Sequence, residues 1–167
     1  VAQAAGCSLG RVVHYYPTKQ DLLLGAVRQT GSPIRAELET IEHANPGAEA
    51  LEATLRCALP TSDLARAHWR VWAGCWARAA YDRQVGQLVR LRHREWQARV
   101  ARLIERAQIA GVVREVLNIE IAVGLITTSV AGVGMMALRE DLPPEAQISL
   151  LNGCMRAFQV RGSCEES

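Results

Sequence analysis

The chain has 167 residues, 49% of them hydrophobic and 22% charged, with a formal net charge of +2. That length and apolar share suit one well-packed domain with a small appendage. The near-neutral balance excludes a global basic field for nucleic acid, so any DNA contact must come from a local patch.

Residues 1–19, VAQAAGCSLGRVVHYYPTK, read as the second half of a helix-turn-helix. Ala2 lies one helical turn before Gly6, so a small residue faces a partner helix. Gly6 stands where a helix should stop and where positive φ is needed, which glycine adopts at little cost. Cys7 is a small apolar plug in the turn, Ser8 a good N-cap, and Val12 the apolar residue of the next helix. Pro17 ends that helix by pushing its predecessor out of the α region. Thr18 then caps a new helix with Asp21 three residues on, the pattern of a capping box. Arg11 and Lys19 are the only charged side chains in the stretch, and both are basic.

With Ala2, Ala5, Gly6, Ser8, Gly10, Val12, Tyr15, Tyr16, Thr18, Lys19 and Leu22 in step, the stretch resembles the recognition-helix region of TetR-family transcriptional regulators. Val13 departs from the pattern, standing where the family carries a tyrosine that touches DNA. The resemblance implies that Ser8, Leu9, Gly10, Arg11, Val13, His14, Tyr15 and Lys19 face DNA. Ser8 and Lys19 suit phosphates at helix N-termini, Arg11 and His14 suit base edges, and the Tyr15 hydroxyl suits a phosphate. Tyr16 is expected in the core. The resemblance also implies that the first helix and most of the second helix of the DNA-binding domain lie before residue 1 in the parent protein.

Residues 18–43 read as helical, with Leu22, Leu23, Ala26 and Val27 on one face. Gly31-Ser32-Pro33 predicts a kink or short break there, with Ser32 as cap and Pro33 at the first helical position. Asn45-Pro46-Gly47 is a turn. Residues 48–59 form a short helix with Leu51, Leu55 and Leu59 aligned. Pro60-Thr61-Ser62 closes it and caps the next. Residues 64–81 are strongly amphipathic: Trp69, Trp72, Ala73, Trp76 and Ala80 share a face opposite Arg70, Gly74 and Arg78. Asp82 caps a long helix over 83–110, with an apolar stripe of Val85, Val89, Trp96, Val100, Leu103 and Ala107. Arg90, Arg94, Arg102 and Arg106 lie mostly off that stripe and read as a solvated face.

Gly111 stops this helix, and 112–117 is a loop. Asn118 caps a helix reaching about residue 139, in which 121–138 holds no charge. That length reaches the lower limit of a membrane span, but its Gly, Ser and Thr content better suits a helix buried in an oligomer interface. Gly124, Thr128 and Gly132 recur every four residues as a low ridge. Residues 144–160 form the last helix, with Ile148, Leu151, Met155 and Phe158 as its apolar side; 161–167 is a polar tail. A symmetric four-helix bundle with a second copy needs such a helix pair, and Gly124, Thr128, Gly132, Met136, Leu151 and Met155 are its expected contacts.

The expected fold is all-α. Residues 1–45 form a partial helix-turn-helix with a connecting helix, and 46–167 a helical effector-binding and dimerisation domain similar to the C-terminal half of BetI-like regulators. The function implied is a ligand-responsive, cytoplasmic DNA-binding regulator acting as a homodimer on a pseudo-palindromic operator, most simply a repressor. A helical interaction protein without DNA binding, soluble or membrane-associated, is the alternative. No metalloprotease motif, phosphate-binding loop, nucleophile elbow or carboxylate cluster supports an enzyme. Five scattered cysteines without C-x-x-C spacing argue against a zinc site or disulfide framework. No cofactor or metal is expected. His43, His68 and His93 show no ligand spacing and read as surface or edge residues.

The expected effector site comprises Trp69, Trp72, Trp76, Arg92 and Trp96. Arg92 sits in an apolar stripe, where an unpaired charge is costly. Its expected partner is Glu105, Glu120 or a bound anion. With Arg92 inward the expected effector is an apolar or aromatic molecule bearing an acidic group; the tryptophans alone would favour a cation or a flat apolar ligand.

Overall fold

Side-chain caps start the helices where the sequence places Ser, Thr, Asp or Asn. The computed structural model describes residues 2, 3, 5–45, 49–113 and 118–156. Seven helices and no strand occur among them: α1 Leu9–Tyr15, α2 Lys19–Ala44, α3 Glu49–Cys57, α4 Asp63–Ala79, α5 Arg83–Ile109, α6 Ile119–Glu140 and α7 Pro144–Arg156. The Ser8 hydroxyl accepts from the Arg11 amide at 3.3 Å. Thr18 and Asp21 form the full capping box, each side chain accepting from the other's backbone N–H. Ser62, Asp82 and Asn118 cap α4, α5 and α6, each side chain accepting from a first-turn amide. Gly6 and Gly111 take positive φ, +61° and +73°, at the two stops read from the sequence. Val1, Ala4, the Pro46-Gly47 turn, residues 114–117, Phe158 with the end of the last helix, and the tail with Cys164 lie outside the described residues.

The main core joins Leu51 and Leu55 of α3, Trp69 of α4, Val100, Leu103 and Ile104 of α5, Ile126 and Val130 of α6, and Leu151 and Met155 of α7. Its tightest fit is between α4 and α6. The Trp69 ring fills the space where a Cβ at position 134 would stand, and its indole N–H donates to the Ala58 carbonyl at 2.8 Å. Glycine at 134 is therefore a packing requirement. Two satellite clusters tie α2 to this body. Val27 packs with Cys75 and Val85, and Ile34 and Leu38 pack with Ala65. The half-buried pair Arg99–Glu42, at 2.8 Å, joins α5 to the far end of α2.

The expected break at Gly31-Ser32-Pro33 is absent: α2 runs unbroken with Pro33 inside it. A proline there removes one backbone hydrogen bond, from its own missing N–H to the Gln29 carbonyl. Val27 on one side and Ile34 and Leu38 on the other are buried against α4, so tertiary packing holds both halves in one helix.

Leu151 and Met155 are also corrected. Both are buried in the chain's own core and face α3, α5 and α6, not a partner. The apolar side of α7 was read correctly, but it serves the internal core. Helix α6 divides its residues between two faces. Ala122, Val123, Ile126, Val130, Val133 and Ala137 are buried; Ile121, Leu125, Thr128, Gly132, Met135 and Met136 are exposed, with Leu150 of α7 also outward. It is long and apolar enough for a membrane span by length and composition, yet one face is built into the core.

Gly134→Ala should destabilise the chain by about 1–3 kcal/mol, because the buried Trp69 ring must move for a methyl group to fit. Urea unfolding should show a lower midpoint at an unchanged slope; an unaltered midpoint would mean the ring relocates freely.

Candidate functional site

Helix α1 buries none of its residues. Leu9, Gly10, Arg11, Val13, His14 and Tyr15 are all exposed, as are Ser8 before the helix and Lys19 at the start of α2. These exposed residues include the cations of Arg11 and Lys19. Tyr15 lies edge-on to His14, with ring centroids 5.2 Å apart. Two inward residues hold this helix to the body. Val12 is half-buried, and Tyr16 packs its ring over Gly25 of α2, where a Cβ would collide with it. Tyr15 is exposed, and Tyr16, expected in the core, is half-buried.

The five residues of the expected effector site do not act as one group. Trp69 belongs to the core. Trp76 stands edge-on to it at 5.8 Å and is tilted against Trp72 at 6.4 Å, so these three rings form a ladder along α4. Trp72 is half-buried and Trp76 partly open to solvent. Trp96 packs instead on the main core and beside Ile34, Leu38 and Ala65. Arg92 donates from Nη1 to Glu95 Oε2 at 2.7 Å, one turn along its own helix. Its expected partners are therefore corrected: Glu105 and Glu120 are both exposed, and the charge is met locally by Glu95. The Arg92 Nη1 is met by Glu95, while its buried Nε has no partner among the described residues.

His68, at a half-buried edge position, makes more contacts than its spacing in the sequence signals. Its Nε2 accepts from the Trp72 indole N–H at 2.8 Å, and its Nδ1 meets the Thr30 hydroxyl at 3.1 Å. An indole nitrogen can only donate, so Nε2 must be bare and the proton sits on Nδ1, pointing at Thr30. Thr30 passes its own hydroxyl proton to the Ala26 carbonyl at 2.8 Å. Burial, with the nearby Arg35 charge, pushes the His68 pKa down to about 4. Among the described residues no group of His, Cys, Asp and Glu is arranged to hold a metal ion. Burial and Glu37 push the Cys57 thiol up to about 12, so it stays protonated and unreactive.

Comparison with known proteins agrees with this geometry. Residues 47–157 match the family model described as the C-terminal domain of BetI-type transcriptional repressors. A search of curated proteins gives no match. Among solved structures, the chain is similar to a transcriptional regulator from Saccharomonospora viridis in complex with choline, at 22% identity and a TM-score of 0.87, covering 96% of this chain and 85% of that one. It is also similar to a TetR-family transcriptional regulator from Rhodococcus sp. (20% identity, TM-score 0.76, 95% and 85% covered). A transcriptional regulator from Rhodococcus sp. Rha1 gives 23% identity and a TM-score of 0.76, with 94% and 81% covered. At these identities the neighbours establish the fold, and the family model carries the assignment.

The His68 network makes stability depend on pH. In the unfolded chain the imidazole takes a proton near its ordinary value of 6.5, whereas the folded one resists until about 4. Between those values the unfolded state binds more protons, so stability should fall as pH falls from 6.5 to 4 and be flat for this group above 6.5. Thermal unfolding across that range should show a shallower decline in His68→Phe; an identical slope would remove His68 as the cause.

Proposed function

This chain belongs to the TetR family of transcriptional regulators, in its BetI-type branch, and from that premise we propose that it is a cytoplasmic repressor that binds a pseudo-palindromic operator as a homodimer and responds to a cationic effector. It acts by binding, not catalysis. Residues 1–45 carry the DNA-reading surface and its connecting helix, and 46–167 the effector and dimer surfaces.

The DNA reading is carried by one observation: α1 holds its family-pattern residues outward while Val12 and Tyr16 anchor it inward. Arg11 and His14 are suited to base edges, and Ser8, Tyr15 and Lys19 to phosphates. Val13 replaces a polar contact with an apolar one, suited to a thymine methyl group. Half-sites are expected about one helical turn, ~34–36 Å, apart or a multiple of it. In a mobility-shift assay with the operator, Arg11→Ala should relax sequence preference. Lys19→Ala should weaken all sequences alike and flatten the salt slope by roughly one. Equal losses and equal slopes for the two variants would refute this division of roles.

The dimer reading rests on the outward face of α6. Gly124, Thr128 and Gly132 form a low track, flanked by Ile121, Leu125, Met135 and Met136. Water is a poor neighbour for such a face, and a second copy related by a two-fold axis would cover it. A Cβ at 132 meets open space within this chain. Gly132→Leu should therefore leave the fold intact while weakening the dimer in light scattering; a monomer for the unmutated chain would end this reading.

The effector reading rests on Trp72 and Trp76, two indoles tilted together along α4. Indole faces attract a quaternary ammonium through their ring quadrupole. The choline bound by the Saccharomonospora viridis neighbour supports that class of ligand here. Choline should quench tryptophan fluorescence saturably, and Trp76→Ala should abolish the response. Quenching by aromatic acids and not by choline would overturn the assignment.

A further inference from the structure

Helix α2 has its weakest backbone at Gly31-Ser32-Pro33, since Pro33 cannot donate to the Gln29 carbonyl. His68 of α4 lies directly against that point. Its Cε1 would stand 3.3 Å from a Cβ at position 31, and its Nδ1–H is held by Thr30, the residue before the glycine. The other ring nitrogen is held by Trp72, one turn along α4 in the aromatic ladder. The chain of bonds is continuous and one-directional: Trp72 N–H to His68 Nε2, His68 Nδ1–H to Thr30 Oγ1, and Thr30 O–H to the Ala26 carbonyl. Every donor and acceptor in it has a single assignment, because the indole cannot accept.

We propose that His68 is the positioning residue through which the state of the Trp72 ring is transmitted to the Gly31–Pro33 segment of α2. The reading of Trp72 as effector-facing comes from the function proposed above; the relay itself needs only the geometry. A ligand that turns the Trp72 indole leaves Nε2 without its donor. The imidazole is then free to rotate, and Thr30 loses the bond that ties α2 to α4 at its weakest backbone position. The neighbouring anchors at Val27 and at Ile34 sit on either side of this segment, so a local change there is confined to the stretch between them. Arg35, whose Nη1 also lies against Gly31, is the nearest charge and disfavours an imidazolium that could substitute a donor for the lost bond.

Amide hydrogen exchange over α2, read beside tryptophan fluorescence, tests this with matched variants. Asn at 68 reproduces the reach of Nδ1 without Nε2; Gln reproduces Nε2 without Nδ1; Thr30→Val removes only the hydroxyl. Without ligand, Trp72→Phe should speed exchange around residues 30–35 about fivefold, the effect of one lost hydrogen bond. His68→Asn, His68→Gln and Thr30→Val should each do the same, and adding Trp72→Phe to any of them should add little. With choline as probe, the unmutated chain should show the same acceleration at the concentration that quenches fluorescence. In Thr30→Val the quenching midpoint should stay within about twofold while the exchange response is lost. Absence of quenching by choline with the ligand-free pattern intact would sink the effector reading and leave the relay standing. Unchanged α2 exchange in Trp72→Phe, or full additivity of the double variants, would overturn the relay itself.

Discussion

An indole ring occupies the place that a side chain at position 134 would need. Trp69 reaches from α4 across to α6 and fixes its nitrogen on the Ala58 carbonyl beyond the end of α3. Three elements are thereby set against one another by a single large side chain in a single hole. Burial of a ring of this size is among the largest individual contributions a core residue can make. Its hydrogen bond removes the cost of burying the N–H. The rest of the body follows from that fit. Once α6 is held by Trp69, its Ala122–Ile126–Val130–Val133 row meets α5, and its other row is left facing outward.

Helix α2 depends on the body differently. It has no comparable wedge, and its contacts with the body include two small clusters, one half-buried ion pair, the Thr30–His68 bond and the Gln20–Gln84 bond. Its N-terminal turn carries the capping box that follows α1, and Tyr16 packs on Gly25 within it. Helix α1 is thus attached to the body through a few discrete contacts along one helix. A regulator that must respond to a ligand is better served by that arrangement than by a continuous core, because each small contact can be exchanged without unfolding its neighbours.

Local chemistry was legible in the sequence wherever one residue suffices to decide the outcome. Ser8, Thr18, Ser62, Asp82 and Asn118 cap helices because their side chains satisfy amides within their own turn. Gly111 stops α5 and Gly6 turns the chain before α1 by a property of glycine alone, its ease in positive φ. The faces of α5 followed from helical periodicity; on α4 the expected inward face fails at Trp76 and Ala80, which are exposed, and misses Cys75, which is buried. What failed depended on partners distant in sequence. Pro33 signals a break by its own chemistry, and packing against α4 overrules it. His68 carries no ligand spacing, so nothing before folding distinguishes it from His43 or His93. Leu151 and Met155 were correctly read as apolar-facing, but periodicity cannot say whether an apolar face meets the same chain or another. Arg92 was a near miss of another sort: Glu95 stands three residues away, a spacing that supports ion pairs on helices, and that local partner deserved precedence over distant ones.

Helix α2 also acts as a lever. Lys19 precedes Ile34 by fifteen residues, so the two lie about 22 Å apart along the axis. A tilt of about five degrees about the Ile34–Ala65 contact would carry Lys19 through roughly 2 Å, enough to take a nitrogen from hydrogen-bonding range of an oxygen to well outside it. In a symmetric dimer both arms swing, and the gap between the two reading helices opens or closes by up to twice that distance. DNA at fixed helical pitch does not follow such a change without deforming. The same tilt carries Val27 through about 1 Å against Cys75 and Val85 and pulls on the Gln20–Gln84 bond, so those two contacts set how far the arm can swing.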